Sequence, residues 1–407
     1  MTDVIVIGGG ASGMIASIAA ARAGAEVLLL ERLNRIGKKI LVTGNGRCNL
    51  SNIHIDSRYY HTSSNSDFSY PFKYMDYQKT EKFFQELGVL PLVEGDKVYP
   101  FSEQASSVLE VFRMEIERLG IAVQTDTKVI DVFRKQHKWH VVCDNQITYE
   151  APRVIVATGG MANASFGCDQ TGYTILKKLG HTVSPTFPTL VHILSTSPYC
   201  KMMKGAKVKA NASAYVEGRL IRKEYGEVLF TEDGLSGPPI FQLSRIASKA
   251  KLENKKAYIA LDLLPHMSYD EVVSMIYSRI ASFPMRTVEE LFTGWLHKRV
   301  TMPLIKYAKI HSMHLKGEDL EYEPIERLAA GIKEFIFETE GTRGYKYAQA
   351  TAGGICLEDV DLKTMASKKA EDLYITGEVL DIDGDCGGYN LQWAWSTGYL
   401  AGEHAGR

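Results

Sequence analysis

The 407-residue chain contains no C-x-x-C and no C-x4-C among its six cysteines, which stand apart at Cys48, Cys143, Cys168, Cys200, Cys356 and Cys386. That scatter argues against a zinc site and against a dithiol relay of the disulfide-reductase kind. No apolar run approaches the length of a membrane span, and no leader pattern precedes the first strand. Free thiols without export signals predict a cytoplasmic protein. Neither sign of charge is in excess: 47 Lys and Arg face 48 Asp and Glu, for a net charge of −1. No global field therefore draws the chain to nucleic acid or to an anionic membrane. Internal repeats and low-complexity linkers are also lacking, which excludes a solenoid. With 45% apolar and 23% charged residues, the composition is that of an ordinary globular protein long enough for two or three domains. The expected partner is a small molecule, with no nucleic acid and no membrane, and the expected assembly a monomer or weak homo-oligomer.

What is present begins at once. Thr2–Ile7 reads as a short apolar strand running into Gly8-Gly9-Gly10-Ala11-Ser12-Gly13, a G-x-G-x-x-G turn. A small-residue helix is predicted from Ala11 to Ala23, stopped by Gly24, and Glu26–Leu30 reads as a second strand ending at Glu31. Gly8 permits the tight turn, Gly10 lets a pyrophosphate approach the backbone, and Gly13 lets helix and sheet pack closely. The helix start at Ala11 and Ser12 offers unpaired N–H groups to an anion. Glu31, with Arg32 beside it, stands where an acid accepts hydrogen bonds from a ribose diol. The motif in this strand–helix–strand context predicts a bound dinucleotide.

Two later segments select FAD. Arg153–Gly160 is an apolar strand ending in Ala157-Thr158-Gly159-Gly160, and Leu373–Glu378 is another, followed by the glycine-rich Leu380–Tyr389. Such turns let the backbone approach a long ligand lying across the carboxyl edges of a parallel sheet. NAD needs one such end, whereas a ligand touched by both ends of the chain is longer. The FAD is expected to be non-covalent.

The nucleotide-binding pattern is split. Residues 1–186 and 341–407 are assigned to a Rossmann-type α/β domain. Residues 187–262 read as an inserted small β-barrel, and residues 263–340 as an inserted helical domain. The barrel strands are predicted at Val208–Val216, Arg219–Tyr225 and Glu227–Thr231, separated by glycine turns. Helices are predicted at Ile240–Ala250, Tyr269–Ser282, Val288–Leu296, Leu304–Ile310 and Ile325–Phe337, the last three set apart by Pro303 and Pro324. A closing helix spans Leu391–Ala405, with its positive end toward the glycine loop.

Several stretches together are specific: GKKILVTGNGRCNLSN at Gly37–Asn52, VYPFSEQASSV at Val98–Val108, GEVLFTEDGLSGPPIFQLSR at Gly226–Arg245, ATAGGI at Ala350–Ile355 and TGEVLDIDGDCGGYNLQWAWSTGYLAG at Thr376–Gly402. In order and over the whole chain, they resemble the flavoprotein family of the BaiN-like bile-acid reductases and the aminoacetone oxidases. That family has a glutathione-reductase-like FAD fold and consists of NAD(P)/FAD-dependent oxidoreductases. Asn45 departs from the family's frequent glycine but tolerates a left-handed backbone. Met161–Thr171 is looser than the family's loop.

The resemblance implies roles. Lys39 would lie near the phosphate and ribose end, and Thr43, Gly44 and Asn49 near the isoalloxazine. Val129 would meet the adenine through its backbone. Gly377, Glu378 and Asp383 belong to the ribityl region, where the two acids accept hydroxyls or else cap a turn. Gly388 brings the backbone close to the ring, and Asn390 and Leu391 would offer N–H groups to its pyrimidine edge. No catalytic residue is identified outright. Arg47 is a candidate for charge near the flavin or an anionic substrate, or else a loop-fixing ion pair. Tyr389 is a candidate proton donor, or else an aromatic shield. Cys386 and Cys48 read as packing residues. The family implies hydride transfer through the flavin, with reduction of a conjugated C=C bond in a bile-acid or steroid-like enone as the leading reaction. NAD(P)H would bind transiently as electron donor, since no second G-x-G-x-x-G exists. Oxidation of an aminoacetone-like amine by oxygen, or a non-catalytic flavin-binding redox sensor, is the alternative.

Overall fold

The computed structural model describes residues 2–407. The chain forms two compact units. One holds the chain up to Phe187 and from Gln349 onward, the other Pro188–Ala348.

The first unit is built on β1 (Val4–Ile7), α1 (Ala11–Arg22) and β2 (Val27–Leu30). Both strands are wholly buried, as parallel strands covered on both faces must be. The sheet has seven strands in the order Val360–Asp361, Ala366–Ser367, Leu373–Ile375, Arg153–Val156, β1, β2, Ala122–Gln124. The last five run parallel, with Val4 opposite both Arg153 and Val27. This is a Rossmann-type α/β fold. The carboxyl ends of its central strands converge where the glycine turns stand, so three remote segments meet at one edge.

The composition of α1 explains how it sits. Nearly all of its residues from Ser12 to Ala20 are buried, and most are small. The C-terminal helix Tyr389–Gly406 packs along it. Gly398, Gly402 and Gly406 form a stripe at spacing four against Ser12, Ala16 and Ala20. A Cβ on Gly402 would lie 2.1 Å from the Ala16 carbonyl oxygen. Small residues at every fourth position on both helices thus set a near contact of backbones. Gln392, fully buried, has its amide satisfied by Ser51 Oγ, the Met75 carbonyl, Thr80 Oγ1 and Ser396 Oγ. That network ties the helix to the strand Ser51–Asn52, to the end of the short helix Tyr70–Tyr74 and to the helix Tyr77–Glu86.

The second unit contains a closed six-stranded barrel in the order Ile193–Ser195, Gly234–Ser236, Arg219–Phe230, Lys207–Val216, Ala257–Asp262, Phe335–Thr342. Three expectations are corrected here. The strand predicted to end at Tyr225 continues as one element to Phe230, because Gly226 is close to extended at φ 159° and does not turn. Pro303 lies inside the helix Lys298–Tyr307 rather than before it. The helix predicted to reach Phe337 stops at Lys333, and Phe335–Thr342 is the barrel's sixth strand. Phe335 and Phe337 are wholly buried at alternate positions of that strand, a period of two hidden in a sequence that also fits a helix. The helical segment is therefore an excursion between the fifth and sixth barrel strands. No helix among the described residues is long and apolar enough to cross a membrane.

Candidate functional site

β1 ends at a turn that only glycine can make. Gly8 has φ 107°, and a Cβ there would lie 2.4 Å from the Ala157 carbonyl oxygen. Gly13 is confined for another reason: its Cβ would lie 1.8 Å from the Gly8 carbonyl oxygen. Gly10 differs from both. A Cβ built on it meets nothing within 4 Å. It caps the start of α1 with no side chain over the first-turn N–H groups. Gly10 therefore opens onto a cleft that spans the carboxyl edge of the sheet, with empty volume of about 1260 Å³, mouth included.

Glu31 and Val129 lie at one end of the cleft. Glu31 is buried, and its two carboxylate oxygens accept the N–H groups of Gly9 and Leu33, each at 2.8 Å. Burial pushes its pKa up, against the pull of those two bonds. Beside it, Arg32 bonds the Gly167 carbonyl at 3.1 Å and pairs with Asp169, which also meets Lys128 at 3.2 Å. Burial alone would raise the Asp169 carboxyl, but the Thr171 and Arg32 bonds prevail and hold it at about 2. This pins the segment Phe166–Asp169 along the cleft wall. Sequence reading missed that latch, because Asp169 stands 137 residues from Arg32 with no local pattern.

In the middle, Lys39 Nζ donates to Glu378 Oε2 at 2.7 Å, and Glu378 Oε1 accepts the Thr351 N–H at 2.8 Å. Burial would lower the Lys39 ammonium, but the Glu378 carboxylate outweighs it and the pKa is raised. Ala157, Thr158 and Gly159 also line the cleft. Thr43, Gln349, Ala350, Asn390, Leu391 and Ala394 line it too. The Asn390 side chain bonds both the N–H and the carbonyl of Gly384, at 2.9 and 2.8 Å.

The cleft thus brings together Gly8, Gly10, Ala11, Ser12, Glu31, Arg32, Lys39, Thr43, Val129, Ala157, Thr158, Gly159, Glu378, Asn390 and Leu391. Six of the expected cofactor contacts do not line it: Gly13, Gly44, Asn49, Gly377, Asp383 and Gly388. Gly13 lies beneath the turn, and Gly377 packs on Ser12, whose Oγ a Cβ would approach to 2.4 Å. Gly44 sits against the Asn49 backbone. The Asn49 amide bridges the Ser51 carbonyl at 2.8 Å and the Gly388 N–H at 3.1 Å. Gly388 has φ 96°, and its Cβ would lie 2.3 Å from the Ser51 carbonyl oxygen. These residues lace two loops together. Asp383 is buried under them.

Neither candidate catalytic residue lines the cleft. Arg47 lies over the Tyr99 ring at 4.0 Å and pairs with Glu94 at 3.0 Å and Glu103 at 3.2 Å, the arrangement of a loop-fixing ion pair. Tyr389 stacks on Tyr59 at 4.7 Å, and burial, with Tyr59 and Asp385 adding to it, pushes its phenol far up. Burial raises the Cys48 thiol to about 12, which suits a packing residue. No cluster of side chains among the described residues could hold a metal ion.

The family model described as "HI0933-like protein Rossmann domain" matches residues 2–404. The chain belongs to this family. It is 38% identical over 408 residues to the 3-dehydro-bile acid delta(4,6)-reductase of Clostridium scindens, covering 100% of this chain and 99% of that one. The ribosomal RNA dihydrouridine synthase of Escherichia coli is 27% identical over 413 residues, covering 98% and 97%. Among solved structures, a flavocytochrome c3 fumarate reductase matches with a TM-score of 0.49 at 16% identity, over 100% of this chain and 78% of that one.

Proposed function

We propose that this HI0933-like family member is an FAD-dependent oxidoreductase that reduces a C=C bond conjugated to a carbonyl, in a small enone of the bile-acid or steroid kind. One finding carries the reading: the Clostridium relative named for that reaction aligns from end to end at 38% identity. The cleft supports the cofactor. Its floor at Gly10 is open to a pyrophosphate, and the uncapped start of α1 faces the same space. Glu31 has acceptor capacity for a ribose diol, while Lys39 and Arg32 offset phosphate charge. The bound flavin would supply hydride, taken from NAD(P)H as a transient donor. The chain's own part is to orient the ring, exclude water and deliver a proton.

The ribosomal RNA relatives support a second reading, at 27–28% identity over 98% of the chain. Dihydrouridine forms when the uracil C5–C6 bond, conjugated to the C4 carbonyl, is reduced, so both named activities use the same step. The lower identity and the balanced charge favour the small enone. Steady-state NAD(P)H oxidation with steroid enones should be substrate-dependent and yield the saturated ketone. No turnover with enones, together with dihydrouridine appearing in ribosomal RNA, would overturn the first reading in favour of the second. Oxygen uptake with aminoacetone instead would point to an amine oxidase.

A further inference from the structure

The segment between the strand Arg153–Val156 and the helix Thr171–Lys178 is fixed at both ends and held in its middle by charge. At its start, Thr351 Oγ1 accepts the N–H groups of Met161 and Ala162, each at 2.9 Å, and Thr351 is wholly buried. At its close, Asp169 Oδ1 accepts the Thr171 N–H at 2.9 Å as the helix begins. Between these anchors the backbone is left-handed at Asn163, φ 62°, and at Gly167, φ 84°, on either side of the short turn Ala164–Phe166.

This segment joins two strands that are not neighbours. β1 stands between Arg153–Val156 and β2 in the sheet, so those two strands run two spacings apart, about 10 Å. Cys168 faces the first flank: its Sγ lies 3.9 Å from where a Cβ on Gly159 would stand. Gly167 faces the second: a Cβ there would lie 3.2 Å from Leu33 Cδ1, and the Gly167 carbonyl accepts from Arg32. Asp169 then pairs with Arg32, just after β2, and with Lys128, just before the strand Val129–Lys135. Phe166, Gly167, Cys168 and Asp169 line the same cleft as the glycine turn that ends β1. One carboxylate thus ties the bridge to cations from two separate elements. The Arg32, Lys128 and Asp169 side chains are 30%, 33% and 34% exposed, so each pair is screened and weak. Such a latch biases the bridge toward closure without sealing it.

We propose that residues 163–169 are a gate over the dinucleotide, and that the Asp169 latch sets how fast FAD enters and leaves rather than how tightly it is held. This rests on the reading of the cleft as the FAD site. The latch joins protein groups to one another, so the same bonds part for entry and for exit. Weakening them moves both rates by one factor. A residue that only holds the cofactor behaves otherwise: its loss speeds exit and leaves entry alone.

The test follows FAD exchange by flavin fluorescence in Asp169→Asn, which keeps an oxygen for the Thr171 N–H and removes the charge. Mixing flavin-free protein with FAD gives the entry rate. Loss of FAD to an excess of a second apoflavoprotein gives the exit rate. Both should rise by roughly three- to tenfold, the scale of two partly exposed ion pairs, with their ratio constant within about twofold. Gly167→Val disturbs the same bridge by a clash with Leu33 instead of by charge, and should also speed both. In flavin-free protein, hydrogen exchange at the amides of residues 164–168 should quicken in Asp169→Asn while that of β1 does not. Faster exit with entry unchanged would make Asp169 a holding contact and overturn the gate, as would equal rates in wild type and both variants. Wild-type protein that takes up no FAD would overturn the cofactor reading, and the gate with it.

Discussion

Gly10 and Gly13 lie three residues apart in one motif, yet the structure predicts opposite outcomes for alanine at each. Gly10 has φ −78° and ψ −168°, a conformation alanine adopts without strain, and its Cβ would meet nothing within 4 Å. Gly10→Ala should therefore fold as well as wild type, gaining about 0.4–1 kcal/mol from the lower entropy of the unfolded chain. The same methyl projects into the space proposed for a pyrophosphate. Overpacking there costs about 1–3 kcal/mol, which is about 5–150-fold in affinity at 1.4 kcal/mol per tenfold. At Gly13 the Cβ would lie 1.8 Å from a carbonyl oxygen and 3.3 Å from Ala157 Cβ. Backbone must move, and α1 cannot withdraw because the C-terminal helix is seated on its other side. Gly13→Ala should lose at least about 3 kcal/mol of stability. Thermal melts of flavin-free protein and FAD titration by fluorescence separate the two effects. A Gly10→Ala protein that binds FAD as tightly as wild type would refute the assignment of this turn to the pyrophosphate. A Gly13→Ala protein of unchanged stability would refute the packing argument.

Glu31→Ala should weaken FAD binding by roughly 1.5–3 kcal/mol and also destabilise the flavin-free fold, because the Gly9 N–H loses its buried acceptor. Burial raises the Glu31 pKa in the empty protein, whereas ribose donors would favour the carboxylate, so FAD affinity should fall as pH drops through that raised pKa; calorimetry showing a flat profile would contradict this. The Asp169 carboxyl, held at about 2 against an ordinary 3.8, contributes stability above about pH 4 that is lost as pH falls toward 2. The shift corresponds to about 2.4 kcal/mol, reduced to about 1 because the group is a third exposed. Denaturant unfolding of Asp169→Asn should show that deficit at neutral pH and a narrowing gap in acid. Gly388→Ala, at φ 96° with a carbonyl 2.3 Å from the new Cβ, should cost about 2 kcal/mol or more and loosen FAD indirectly, by parting the two loops. Arg47→Ala should leave flavin content and enone turnover unchanged, since its contacts are exposed ion pairs away from the cleft; a loss of turnover would place it back in the site.

The sequence by itself determined what local chemistry can specify. The glycine turn, the small-residue helix and the acid after β2 are contiguous, so their spacing alone predicts the strand–helix–strand unit with Glu31 at its end, while Lys39 and Asn390 were picked out by family resemblance; all three line the same cleft. The limits are equally physical. A run such as Phe335–Phe337 satisfies two periodicities, and only closure of the barrel decides that it is a strand. Pro303 stays within a helix that sequence reading placed after it. Gly388 is needed for a carbonyl across a loop contact that no neighbouring residue announces. The Arg32–Asp169, Lys39–Glu378 and His61–Asp385 pairs join residues separated by 137, 339 and 324 positions. Such partners are chosen by which chain segments the sheet order brings together, and which neighbour a carboxylate meets is decided only there.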